Sequence, residues 1–208
     1  MTLNYVLSMI KKLLAEALGT FALVFVVMSA VATSSLITPL LAGLTLGLMV
    51  YFVGHISGTH INPGVTIGAW SIEKISLKEA AGYIVAQFIG AGIAILAINE
   101  FIPGASADIT SVVAAANTPL VLLAEALGMF FFTFGIASVI YRKTPSNLSG
   151  IVIGLSLILG IVFASVGSAG ILNPAVAIGL GAFNIMYVLG PIIGSILGMQ
   201  AYKYLMLK

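Results

Sequence analysis

Six apolar stretches, each long enough to cross a lipid bilayer, constrain this chain more than any other feature. They run near residues 13 to 34, 38 to 54, 79 to 98, 119 to 141, 148 to 166 and 185 to 206. A hydrocarbon core of about 30 Å takes roughly 20 helical residues. With 61% of 208 residues hydrophobic and only 7% charged, the chain carries more apolar surface than a water-soluble domain of this length can bury. The predicted class is an all-α membrane protein. Two further apolar stretches, 63 to 70 and 174 to 182, are too short to span. At about 1.5 Å per residue they reach about 12 to 14 Å, so they are predicted to be re-entrant half-helices ending near the bilayer midplane.

The charges orient the spans. All eight basic residues, Lys11, Lys12, Lys74, Lys78, Arg142, Lys143, Lys203 and Lys208, fall at one set of alternating junctions. That face is expected to be cytoplasmic, which puts both termini inside. The opposite connections, around 34 to 38, 99 to 118 and 167 to 184, contain no Lys or Arg and carry Glu100 and Asp108. The first apolar segment follows two lysines as a signal sequence would, yet its length, Glu16 and the five later spans mark it as a retained helix. A formal net charge of +2 confined to membrane borders gives no reason to expect a nucleic-acid partner. Without cysteine, thiolate metal sites and cysteine nucleophiles are excluded. No metal site and no cofactor are expected.

The chain also repeats itself. Ala15-Glu16-Ala17-Leu18-Gly19 recurs as Ala124-Glu125-Ala126-Leu127-Gly128, and Asn62-Pro63-Gly64-Val65-Thr66-Ile67-Gly68 answers Asn173-Pro174-Ala175-Val176-Ala177-Ile178-Gly179. Tyr83 with Gly90 corresponds to Tyr187 with Gly194. Each half reads as helix, helix, half-helix, helix. Three full spans are an odd number, so the second half enters from the opposite face and the repeats, about 10 to 99 and 118 to 206, are inverted. Residues 1 to 208 are predicted to form one domain, with 99 to 118 as an internal connector.

Asparagine is a strong N-cap and proline is favoured at the first helical position, so both Asn-Pro pairs are helix starts. The free N-H groups and the positive ends of two macrodipoles are expected to face each other in the middle of the pore and to repel cations.

Residues 55 to 68, HISGTHINPGVTIG, and 170 to 179, GILNPAVAIG, resemble the paired signature loops of the aquaporin or major intrinsic protein family. The resemblance extends over essentially the whole chain, including the Ala-Glu pairs of spans one and four, Gln87 in span three and Gly190-Pro191 with Gly194 in span six. It implies an hourglass fold, a homotetramer in the cell membrane and passive conduction of water, glycerol or similar uncharged solutes, with no enzymatic activity. The signature residues are Asn62, Pro63, Gly64, Asn173, Pro174 and Ala175. The family's outer constriction pairs an aromatic residue with an arginine. Matched along the motifs, its four positions hold Ala42, Ile161, Gly170 and Val176, with Val176 in the arginine's place. An apolar, wider filter is implied, tolerant of larger or less polar neutral solutes. Gly64, where the family most often has alanine, is expected to widen the centre slightly.

Glu16 and Glu125 lie inside spans, where an unpaired carboxylate costs several kcal/mol or more. Symmetric placement favours scaffolding of the re-entrant loops over proton relay, with His60 and Gln87 as further loop supports. Two other readings compete with a passive channel. One is an inverted-repeat, proton-coupled transporter using Glu16 or Glu125, and the other is a closed assembly whose apolar filter never wets.

Overall fold

The computed structural model describes residues 3–112 and 117–206. Lys208 and linker residues 113–116 lie outside the described residues. The chain folds as α1 (Leu3–Ala32), α2 (Thr38–Ser57), α3 (Pro63–Ser71), α4 (Leu77–Phe101), α5 (Ala105–Val112), α6 (Pro119–Ile140), α7 (Ser149–Ala164), α8 (Pro174–Gly179) and α9 (Ile185–Met206). Six of these are long and apolar enough to cross a membrane: α1, α2, α4, α6, α7 with the single 3-10 turn Ser146–Leu148 before it, and α9. The two short helices α3 and α8 begin at the Asn-Pro pairs.

Several features depart from the sequence reading. Helix α1 starts about ten residues earlier than the apolar run, carrying Lys11 and Lys12 on its first turns. Lys12 pairs there with Glu79 at 2.8 Å, tying the start of α1 to the start of α4 on the basic face. Helix α8 is shorter than its apolar run, ending at Gly179. The connector contains a short helix, α5, that packs on α1 and α4.

Close backbone approach holds the bundle together, as expected where lipid supplies no hydrophobic drive between helices. In the first half α1 packs on α4, and a Cβ on Gly90 would collide with the Ala17 carbonyl. In the second half α6 packs on α9, and a Cβ on Gly194 would collide with the carbonyl of Ala126. These are the same contact made twice, because Ala17 and Gly90 correspond to Ala126 and Gly194 in the repeat. The halves meet where α2 crosses α7. A Cβ on Gly43 would come within 2.6 Å of the Gly154 carbonyl oxygen, and Gly47 faces Gly150 in the same way. Gly43 and Gly154 are equivalent positions of the two repeats, so this contact lies on the pseudo-two-fold axis.

Candidate channel site

Two loops carry the site. Residues 58 to 62 lead into α3 and 169 to 173 lead into α8, and both contain backbone that side chains rarely tolerate. Thr59 has φ 50°, Ile61 φ 39° and Leu172 φ 55°, with Gly58 and Gly170 also at positive φ. A β-branched residue at positive φ persists only where its surroundings over-determine it. The buried carboxylates supply that constraint. Glu16 is wholly buried, and its Oε1 accepts from Ser57 Oγ at 2.7 Å and His60 N-H at 2.9 Å. Its Oε2 accepts from Ile61 N-H at 2.7 Å and Gln87 Nε2 at 2.8 Å. Glu125, also wholly buried, repeats the pattern. It accepts from Ser168 Oγ at 2.7 Å, Ile171 N-H at 2.9 Å and Leu172 N-H at 2.6 Å.

The halves differ in one partner. Gln87 also donates to Thr66 Oγ1 at 2.9 Å, whereas its counterpart in the repeat is Pro191, which has no amide to offer. Four residues that sequence reasoning did not assign complete the scaffold. Ser57 and Ser168 reach the carboxylates, Tyr83 donates to the Ser57 carbonyl at 2.8 Å, and Tyr187 accepts from Ala169 N-H at 3.1 Å. The recurrence of Tyr83 as Tyr187 was the available signal for two of them.

Each asparagine does two jobs. Asn62 Oδ1 accepts from Gly64 N-H at 2.8 Å and Val65 N-H at 3.4 Å, and Asn173 Oδ1 accepts from Ala175 N-H at 2.9 Å and Val176 N-H at 3.4 Å. The helix-start N-H groups expected to be free are therefore occupied by their own caps. The donors left over are on the amide nitrogens. Asn62 Nδ2 donates across to Leu172 O at 2.8 Å and Asn173 Nδ2 to Ile61 O at 3.0 Å. An amide nitrogen carries two hydrogens, so each asparagine bolts the opposite loop with one and keeps the other. The positive ends of α3 and α8 still face the same point, since capping satisfies donors without cancelling the macrodipole.

Two cavities lie along the line of the half-helices, and one of them reaches this pair. One, of about 240 Å³, is lined by Ala42, Ile161, Gly170 and Val176 together with Asn62 and Asn173. The structure thus gathers the four matched filter positions around one space. Thr38 and Ser165 join them, but their hydroxyls donate to Ser35 O and Ile161 O, both at 2.7 Å, leaving them only acceptor capacity toward a solute. The other cavity, of about 480 Å³, opens toward Lys74 and His55 on the basic face. Leu46, His60 and Phe132 border both.

Pro63, Pro174 and Ala175 form the first turns of α3 and α8 and border neither cavity. Gly64 corrects an expectation. A Cβ there would meet Met129 Cε at 3.0 Å, the capping Asn62 Oδ1 at 3.2 Å and Pro191 Cβ at 3.4 Å, and Gly64 borders neither cavity, so the missing methyl loosens packing around the start of α3 and does not open the cavities directly. His60 Nδ1 lies 3.2 Å from Thr66 Oγ1, and its ring stands edge-on to Tyr83. Among the described residues no cluster of His, Cys, Asp or Glu could hold a metal ion.

Comparison with known proteins places this geometry. The family model described as major intrinsic protein matches residues 4–202. Aquaporin AqpM of Methanothermobacter thermautotrophicus is 32% identical, over 95% of this chain and 98% of that protein. Nodulin-26 of Glycine max is 29% identical, over 93% of this chain and 77% of its own. Among solved structures, the aquaglyceroporin from Plasmodium falciparum shares the fold with a TM-score of 0.72 at 21% identity, covering 96% of this chain and 97% of that one. The chain belongs to the major intrinsic protein family.

Proposed function

We propose that this chain is a passive transmembrane channel for small uncharged solutes, conducting through a pore within each subunit. The observation that carries the reading is that two cavities, one lined by Asn62 and Asn173 and the other opening to the basic face, share the border Leu46, His60 and Phe132, while each asparagine caps one half-helix and binds the opposite loop. A solute passing there exchanges water for two fixed amide donors, while the positive helix ends oppose cations. The names of its relatives, aquaporins among them, support the same class of cargo. Ala42, Ile161, Gly170 and Val176 act as the outer selectivity filter. Lacking a fixed cation and any side-chain donor, they favour glycerol-sized or less polar neutral solutes over strict water selectivity.

Glu16 and Glu125 act as scaffold. Each oxygen that a proton-coupled transporter would need is engaged by loop donors. His60 and Gln87 support the first loop. The chain works as one channel domain built of two inverted repeats, in the cell membrane, with its basic face and both termini cytoplasmic. Leu40, Leu44 and Leu48 on α2 and Leu155 and Leu159 on α7 are exposed apolar side chains that suit lipid or a neighbouring subunit, and a homotetramer is the assembly this family resemblance favours. Stopped-flow light scattering on proteoliposomes tests the reading. Water and glycerol fluxes are expected to rise linearly with their gradients and to ignore an imposed pH difference. Saturable flux driven by the proton gradient would replace the channel with a transporter.

A further inference from the structure

The two cavities differ in charge. No lysine, arginine, aspartate or glutamate lines the outer one. The inner one, on the basic face, is lined by Lys74 and His55 and by no carboxylate. Glu73 and Glu79 border a separate groove that Lys74 also lines, and neither reaches the cavity. Lys74 Nζ stands 4.6 Å from the centre of the Tyr141 ring, and that ring stacks on Tyr202 of α9 with the two planes 8° apart. Among the described residues the ammonium pairs with no carboxylate and meets no hydrogen-bond acceptor. A ring face attracts a cation without taking up its N-H donors as oxygens would, so Lys74 is held at the cavity wall with those donors unclaimed by the protein.

We propose that the inner cavity binds a phosphate monoester of a short polyol and that the bound anion closes the pore from the basic side. The closure rests on the reading of the chain as a solute channel, whereas the site itself does not. The phosphate meets the Lys74 ammonium and the ring of His55, on the last turn of α2. Its polyol part meets a second set of groups. Thr59 Oγ1 donates to Met49 O at 3.2 Å and Ser149 Oγ to Ser146 O at 2.7 Å, so both hydroxyls line the cavity as acceptors. The hydroxyl groups of a polyol supply the donors that these oxygens can take, while Val50, Val139 and Ile153 cover its carbons. An alkyl phosphate offers those oxygens nothing.

Such an anion enters readily and leaves only by the way it came. Lys74 draws it in from the basic face. On the outer side Ala42, Ile161, Gly170 and Val176 carry no side-chain donor, and the hydroxyls of Thr38 and Ser165, already donating to backbone carbonyls, present only lone pairs. An ion that sheds its hydration there gains no partner in exchange, so it does not cross. The missing outer cation that leaves the filter open to neutral solutes thus also stops an anion arriving from within. The inner cavity, at about 480 Å³ against about 240 Å³ for the outer one, is the roomier place for it to lodge.

The test measures glycerol permeability of proteoliposomes carrying the full chain, with glycerol 3-phosphate at equal concentration on both sides so that every channel meets it at its basic face. For a site of about 1 mM affinity, about 10 mM of the ester is expected to lower the flux about tenfold. Lys74→Met, judged against its own flux without ester, is expected to need about tenfold more ester for half-block, and Lys74→Arg to restore the wild-type value. Calorimetric titration of the same proteins in detergent reads binding without conduction. A wild-type glycerol flux untouched by the ester, or a Lys74→Met variant blocked as strongly as wild type, overturns the proposal and spares the channel. Inorganic phosphate that blocks as well as the ester overturns the polyol assignment. If the wild type conducts no glycerol, the channel reading falls and calorimetry decides the site: ester binding that weakens in Lys74→Met supports it, and no binding overturns it.

Discussion

Glu16→Ala is expected to abolish the folded channel and not merely to slow it. The carboxylate satisfies the Ser57 hydroxyl, the His60 and Ile61 N-H groups and the Gln87 amide, all in the interior. Each buried donor left without a partner costs about 1–3 kcal/mol. Ile61 would also lose the bond that holds it at φ 39°, in a conformation a β-branched residue otherwise avoids. Set against a typical stability of about 5–15 kcal/mol, the sum is ruinous. Glu16→Gln keeps the volume but turns one acceptor into a donor facing donors, so it is expected to lose most of the folded protein as well. Glu125→Ala follows Glu16→Ala because its three bonds are equivalents of the same set. The measurements are the monodisperse yield in detergent and the glycerol permeability of proteoliposomes. A well-folded Glu16→Gln that conducts at the wild-type rate would refute the scaffold role.

Asn173→Asp is expected to leave the protein folded and to make it leak cations. The aspartate still caps α8, since a carboxylate oxygen accepts from Ala175 and Val176 N-H as the amide oxygen does. What disappears is the donor to Ile61 O, and what appears is a negative charge where two helix N-termini converge. A unit charge about 4 Å from a passing cation is worth about 4 kcal/mol at an effective dielectric constant of about 20, roughly a thousandfold in occupancy. The barrier made by the half-helix dipoles is of smaller size, so the sign of the selectivity at the centre reverses. Potassium and proton fluxes, followed with ion-sensitive dyes inside the vesicles, should rise well above those of wild type while glycerol flux falls. An Asn173→Asp channel as tight to cations as wild type would mean that the ion barrier lies elsewhere.

Much of this architecture is legible in the sequence, for identifiable physical reasons. Hydrocarbon thickness fixes the length of a span, and the one-sided lysines and the odd number of spans per half fix the inversion, so α2, α4, α6, α7, α9 and both half-helices follow from counting. Helix α1 escaped at its start because Lys11 and Lys12 mark the membrane border, while helix propensity continues through Leu3–Ile10 into the interface. Helix α5 was hidden in a connector of Ala, Ser and Thr bounded by Pro103 and Pro119, where an eight-residue helix has too few turns to show a period.

The site divides the same way. Glu16 and Glu125 are visible because a carboxylate in a span demands an explanation and these two recur in register. Ser57 and Ser168 are ordinary serines until the loop folds them onto those carboxylates. Phe132, third in the run Phe130-Phe131-Phe132, gives no sign in sequence of which ring turns inward. Only the bundle geometry puts it on the border of both cavities, where its repeat equivalent Leu23 lines the outer one alone. The caps held a subtler lesson. Asn-Pro announces a helix start, but the sequence does not say that the cap consumes the very N-H groups that a helix start exposes.

A neutral-solute pore with the proposed arginine-free outer filter is expected to leave glycerol-sized solutes unhindered. Stopped-flow light scattering on proteoliposomes of wild type beside Val176→Arg measures this most directly, with an impermeant osmolyte to drive water flux and then a glycerol gradient to drive solute flux. Val176 lines the outer cavity with Ala42, Ile161 and Gly170, and a guanidinium there would fill space and bring a fixed charge with hydrogen-bond donors. The glycerol-to-water permeability ratio is predicted to fall by about tenfold or more on this substitution, as size and fixed charge narrow an apolar opening. An unchanged ratio in a folded Val176→Arg channel, or a wild type already as water-selective as the variant, would rule out Val176 as part of a glycerol-admitting filter.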